Sequence, residues 1–392
     1  LVDCEALAAK GNVQVQTELG AAYATGGVGI PKDYAKALKW FRKAADSGDA
    51  QAQYSLGVMN ASGMGVDVNL NKAREWYLKA AKQGLASAEF NLALLYDQGR
   101  GVGRDFQKAY KWYTKAAGQG DAMAQNSLGA MYERGEGVKR DYKIAANWYQ
   151  KAANQGEPLS EYNLGVLYVK GLGVNKDAHR GAKLLERSAM TGYSSAQNNL
   201  AVLYLRGEGI VQDYKKAAFW FRKAADQGNV HAQNGLATLY LRGQGVDQSD
   251  KEAVQLYRKS AQQGDSISQY NLGLMYTRGR GVLQNHKQAL HWYQKAANQG
   301  DAISQNTLGT LYEKGEGTAK NLTKAVIWYE KSAKQNDPIA QYNLGSMYSH
   351  GKGIEKNIAL AHEWFLKSAN QGDPMAQNIM GVMYQRGEGV EK

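Results

Sequence analysis

The chain has one cysteine, Cys4, among its 392 residues. A single thiol makes no internal disulfide and no cysteine-based zinc site. No window approaches 18 consecutive apolar residues, so no segment reads as a membrane-spanning helix. Catalytic constellations are missing as well. The histidines His179, His231, His286, His291, His350 and His362 show no HExxH or paired ligand spacing, and solvated or packing roles account for them. No Gly-x-Ser-x-Gly elbow or recurring Cys–His pairing is present. These absences argue against an enzyme, a resident metal and a cofactor. The formal charge of +12 arises by repetition: recurrent lysines such as Lys43, Lys79, Lys115 and Lys151 each face one or two acids. It does not by itself indicate nucleic-acid binding.

What the chain does have is a period. Gly48, Gly84, Gly120, Gly156, Gly192, Gly228, Gly264 and Gly300 recur every 36 residues, and Asn336 and Gly372 continue the register. A period of this length marks a stacked-repeat architecture. The units run 12–48, 49–84, 85–120, 121–156, 157–192, 193–228, 229–264, 265–300, 301–336 and 337–372, with a partial unit at 373–392. A solenoid has local contacts and no internal domain boundary, so residues 1–392 are read as one repeat domain. Residues 1–9 form a lead-in that could cap it. The extra residue of the first unit lies in the glycine-rich loop at 24–32.

In the reference unit, Ala124, Leu128, Met131 and Tyr132 follow helical spacing and predict helix A over 121–134. Gly135 and Gly137 end it. Ala145, Trp148, Tyr149 and Ala152 predict helix B over 142–154. The residue before helix B is a strong N-cap type in each copy, from Asp33 and Asn69 to Asn321 and Asn357. Pro158, Pro338 and Pro374 fall at the first position of helix A, where no N–H is required. The position after the core leucine is Gly or Ala throughout, as at Gly57, Ala93, Gly129 and Gly165. Glycine inside a helix costs about 1 kcal/mol against alanine, so its recurrence implies a backbone or a large aromatic in that space. The Gly-x-Gly pairs follow helices rather than strands, and are read as A-to-B turns, not phosphate loops.

The pattern A-x-A-Q-x-x-L-G-x-x-Y-x-x-G-x-G-V, then D-Y-x-K-A-x-x-W-Y-x-K-A-A-x-Q-G, resembles the Sel1-like repeat family, relatives of the tetratricopeptide repeats. The resemblance covers residues 12–392. It implies an all-α, right-handed α-solenoid of helical hairpins that binds proteins on its concave side. It does not imply an enzyme. The family includes degradation adaptors of the endoplasmic reticulum, bacterial scaffolds for exopolysaccharide export and virulence factors that engage host proteins. The dense Gln-Gly-Asp junctions look bacterial, and the resemblance extends to an enterobacterial factor that binds host secretory IgA. On that basis the expected partner is a host protein such as secretory IgA. The chain is expected to be monomeric, and secreted, on the cell surface or periplasmic. The alternative is a periplasmic or cytoplasmic adaptor for bacterial partners. Some secreted relatives staple each repeat with a cysteine pair, which this chain lacks. It opens on Leu1 rather than Met, as a processed or trimmed chain would, and its last helix A lacks a helix B, so the natural protein is expected to continue past Lys392.

The copies differ in places. Asn60 stands where most have the helix A tyrosine. The 157–192 unit has Leu184 and Leu185 for Trp and an aromatic, and Gly181 for Ala. The 229–264 unit has Asp250 at an aromatic position and Leu256 for Trp. Loss of a packed Trp leaves a void costing several kcal/mol unless neighbours close in, so a local change in twist is expected near Leu184. At about 100° per residue, positions such as Asn126, Ala130 and Glu133 face away from the core of helix A. Along the middle units these positions form an apolar stripe, Tyr162, Val166, Val169, Val202, Leu205, Leu241 and Leu274, with Tyr162 and Tyr270 as the expected aromatic anchors. A row of cations runs beside it, including Lys170, Arg206, Arg242 and Arg278. These twelve residues are the candidate protein-binding site. Two other readings stand beside it: compensation of the helix dipole by the cations, and burial of the stripe against adjacent repeats.

Overall fold

The computed structural model describes residues 2–26 and 29–388. Among them the chain forms twenty-two α-helices and no β-strand element. It divides into two compact units, Leu1–Ala196 with Glu208–Ile210, and Gln197–Gly207 with Val211–Lys392. Each is a series of helix A–helix B hairpins.

In the reference hairpin, helix A is Ala122–Arg134 and helix B is Tyr142–Ala153. The Asp121 carboxylate accepts from the Ala124 N–H at 2.7 Å, and Asp141 accepts from Lys143 and Ile144 N–H. These caps satisfy first-turn donors that have no partner within the helix. Helix A ends at Gly135 in the left-handed conformation, φ 76°. Gly137 also has positive φ, and a Cβ there would lie 2.7 Å from the Phe106 carbonyl oxygen of the preceding helix B. The second turn glycine is therefore a contact between repeats.

The two helices of a hairpin meet at the in-helix glycine. A Cβ on Gly129 would sit 2.5 Å from the Tyr149 ring, and Tyr149 is fully buried. Gly57, Gly273, Gly309 and Gly345 meet Tyr77, Tyr293, Tyr329 and Phe365 in the same way. The 157–192 unit solves the problem differently. With Leu185 in place of the ring, Gly165 and Gly181 come backbone to backbone: a Cβ on Gly181 would lie 2.8 Å from the Gly165 carbonyl oxygen. Leu184 and Leu185 are both buried. The missing aromatic volume is removed by close approach, which the paired glycines permit.

Repeats are joined by buried glutamines. The Gln125 amide donates to the Ala117 carbonyl, at the end of the preceding helix B, at 3.3 Å, and accepts from Gln155 Nε2 at 2.9 Å. Gln53, Gln233, Gln269, Gln305 and Gln341 donate to Ala45, Ala225, Ala261, Ala297 and Ala333 and accept from Gln83, Gln263, Gln299, Gln335 and Gln371. The lead-in forms a helix, Val2–Ala9, and Gln16 donates to its Ala8 carbonyl at 2.8 Å. That is the same bond at the same spacing, so the lead-in helix occupies the place of a helix B.

Two rungs of this ladder carry an acid instead. Glu161 pairs with Arg187. Glu89 is buried and accepts from Gln119 Nε2 at 2.7 Å, yet an ionised carboxylate has no proton to give the helix B carbonyl. Burial pushes the Glu89 carboxyl above its ordinary range, against smaller opposing effects of the Gln119 bond and the Lys115 charge. A carboxyl raised on folding contributes stability below its unfolded pKa of about 4.3 and loses it as pH rises through the folded value. Glu89→Gln should therefore raise stability at neutral pH by about 1 kcal/mol, the scale of one restored hydrogen bond. Thermal melts at neutral pH and near pH 4 would check this: the gain should shrink in acid, and an equal gain at both would mean ionisation is not the cause.

Candidate protein-binding surface

Helix A presents the face on which the sequence placed the site. Its tyrosines pack on the aromatic of their own helix B: Tyr270 lies 5.6 Å from Tyr293, and Tyr54 lies 5.8 Å from Tyr77. Tyr162, whose helix B carries Leu185, meets the Tyr193 ring edge-on at 5.1 Å. Where asparagine replaces tyrosine, the side chain reaches the next repeat. Asn126 is buried, not turned outward as the helical arithmetic suggested, and accepts from Ser160 Oγ and Asn163 Nδ2, both at 3.0 Å. Asn234 donates to Ser268 Oγ at 3.1 Å. A single-helix projection cannot see the neighbouring repeat that buries this position.

Nearby polar positions serve the buried phenols. Glu133 accepts from Tyr149 Oη at 2.7 Å, Glu313 accepts from Tyr329 Oη at 2.7 Å, and Thr277 lies 3.2 Å from Tyr293 Oη. The corresponding residues Val169 and Leu205 are apolar in hairpins whose helix B offers no hydroxyl, having Leu185 and Phe221 instead. Leu205 and Val202 pack against the cluster that contains Phe221, and Leu241 against the one that contains Tyr257. In the first unit, Tyr162, Val166 and Val169 are half-buried and Lys170 is exposed. In the second, Val202, Leu205, Leu241, Tyr270 and Leu274 are half-buried, and Arg206, Arg242 and Arg278 are exposed.

The cations are not equivalent. Arg134 pairs with Glu136 at 3.1 Å, and Lys314 reaches Glu316 at 4.0 Å. Lys170, Arg242 and Arg278 make no ion pair among the described residues. Sequence reasoning missed a row of large apolar side chains near the start of helix A. Ile267, Ile303, Ile339 and Met375, on four helices of the second unit, are each more than half exposed, at 57, 53, 54 and 58%. Ile267, Leu274 and Arg278 share one helical face by their spacing of seven and four. The available signal was the same 36-residue recurrence, of an apolar residue flanked by polar ones.

These features define a helical-hairpin repeat protein. The Sel1 repeat model matches residues 13–49, 50–85, 86–121, 122–157, 158–193, 194–229, 230–265, 266–301, 302–337, 338–373 and 374–392. The chain belongs to the Sel1 repeat family. Proteins of this family are in general non-catalytic scaffolds for protein interactions. Among solved structures, the chain is similar to c5321, a protective antigen present in uropathogenic Escherichia coli strains and displaying an SLR fold. Identity is 39% and the TM-score 0.83, over 99% of this chain and 83% of that one. It is also similar to a Sel1 repeat protein from Oxalobacter formigenes, with 32% identity and a TM-score of 0.61 over 79% of this chain and 90% of that one. No curated protein matches. No helix among the described residues is long and apolar enough to cross a membrane.

The phenols beneath this face give it a pH limit. Burial pushes Tyr293 up to about 12, with the Thr277 bond and the Arg278 charge pulling the other way. A phenol raised on folding stabilises fully below its unfolded pKa of about 10, and that stability is lost as pH rises through the folded value. Stability should therefore fall between about pH 10 and 12, with tyrosinate absorbance and loss of helicity rising together. Early, gradual ionisation with helicity intact would show that the phenols are not protected.

Proposed function

We propose that the chain is a protein-binding scaffold that engages its partner through the helix A faces, using the apolar and cationic residues of the middle repeats. The observation that carries this reading is the pairing, on one helix face, of exposed or half-buried apolar residues with cations that have no internal counter-charge: Ile267, Leu274 and Arg278. Exposed apolar surface rimmed by charge marks protein interfaces. In the first unit the contributing residues are Tyr162, Val166, Val169 and Lys170. In the second they are Val202, Leu205, Arg206, Leu241, Arg242, Tyr270, Leu274 and Arg278. The partner is a host protein, with secretory IgA the one to test first, and the chain acts outside the bacterial cytoplasm. The similarity to a protective antigen of uropathogenic strains supports this choice over a scaffold for bacterial partners.

The test is binding of the purified chain to immobilised secretory IgA. Leu205→Asp and Tyr270→Ala should each weaken it tenfold or more, about 1.4 kcal/mol, with helicity unchanged. Arg242→Gln should act mainly on the association rate and its salt dependence. Lys151→Ala, on helix B, should change nothing. Wild-type binding by all the helix A variants would turn the stripe into internal packing alone.

A further inference from the structure

The helix A tyrosine that Asn60 replaces has, in six other repeats, one or the other of two cationic attendants. A cation from the following helix B lies over its ring: Lys108 over Tyr96 at 5.3 Å, Arg180 over Tyr168 at 4.4 Å, Lys216 over Tyr204 at 5.3 Å and Lys324 over Tyr312 at 5.3 Å. The cation is twelve residues after the tyrosine. In two repeats, an arginine from the preceding helix B, eighteen residues before the tyrosine, donates to its hydroxyl: Arg222 to Tyr240, and Arg258 to Tyr276 at 3.1 Å.

Counting from Asn60 gives Lys72 and Arg42. Here both positions are cationic, a combination that none of those six repeats has, and neither side chain makes an ion pair or hydrogen bond among the described residues. The backbone is unaltered, since Asn69 N–H donates to the Asn60 carbonyl at 2.8 Å just as Asp105 donates to Tyr96 at 2.9 Å. Only the ring is replaced. The Asn60 amide turns back to the Leu56 carbonyl at 2.8 Å. What results is a groove of about 590 Å³ whose lining includes Arg42, Asn60, Lys72 and Trp76. That size is within the roughly 300–1,000 Å³ typical of ligand sites. Trp76 forms an aromatic wall, with Lys79 Nζ stacked on it at 4.1 Å.

We propose that this groove is a binding site for a 4-hydroxyphenyl group, supplied by a tyrosine side chain of a partner polypeptide. The ring takes the place that the chain's own tyrosine fills in other repeats. Lys72 covers its face by a cation–π contact, and the Arg42 guanidinium donates to its hydroxyl. The site lies where the first repeat's helix B meets the second repeat, and is independent of the helix A stripe.

The full chain should bind N-acetyl-tyrosinamide and p-cresol saturably in ligand-observed NMR. N-acetyl-phenylalaninamide, which has no hydroxyl for Arg42, should bind at least threefold more weakly. Arg42→Gln should erase that difference, and Asn60→Tyr should abolish binding of all three while raising the melting temperature. If Asn60→Tyr does not fold, the double variant Arg42→Gln, Lys72→Gln carries the test and should lose binding at least tenfold. Binding of p-cresol alone would assign the groove to free phenols and overturn the polypeptide source. No saturable binding by either phenol at about 10 mM, a concentration within reach of an efficient fragment, would overturn the site itself. So would binding that persists in folded Asn60→Tyr.

Discussion

A buried amide sets the geometry of this chain. The helix A glutamine gives its N–H to the last turn of the preceding helix B and takes one from the end of its own helix B. A buried polar group that lacks either partner loses the cost of leaving water. Where the amide is present, it ties helix A in register to both of its neighbours. Other features follow from that placement. The in-helix glycine is brought against the Tyr149 ring, and the second turn glycine against the start of the previous helix B. A larger residue at either would have to displace one of the helices that the amide holds.

The interior also dictates part of the exterior. Where helix B buries a phenol, helix A often supplies an acid or threonine to meet its hydroxyl, as Glu133 does for Tyr149. Where the ring is Phe221 or the residue is Leu185, helix A has Leu205 or Val169. The apolar stripe thus has two causes, a buried one and a surface one. The exposed isoleucines at the start of helix A have no such internal reason, since their side chains lie largely in water.

The hairpins, their ends and the role of the helix A glycine were legible in the sequence because each requires a narrow class of residue at one place in each copy. Asn126 was misjudged because its partners lie in another repeat, 34 and 37 residues on. The glutamine ladder escaped for the same reason: the letter recurs visibly, but its two partners belong to different helices. Leu184 and Leu185 were visible as a departure, and the remedy at Gly165 and Gly181 required seeing the two backbones meet. Asn60 likewise showed as a missing tyrosine, while the two cations left around it became meaningful only through their equivalents in other repeats.

The carboxylate at Glu89 gives the array a preferred place to part. In a stack where each repeat touches only its neighbours, cohesion is a sum of separate junctions, and under load the poorest one yields first. At neutral pH the junction between Glu89 and the preceding helix B lacks the amide donor that neighbouring junctions possess. At the other acid rung, Glu161, the Arg187 guanidinium reaches the Ala153 carbonyl instead, so one oxygen in place of one nitrogen leaves the Glu89 junction the less well tied of the two.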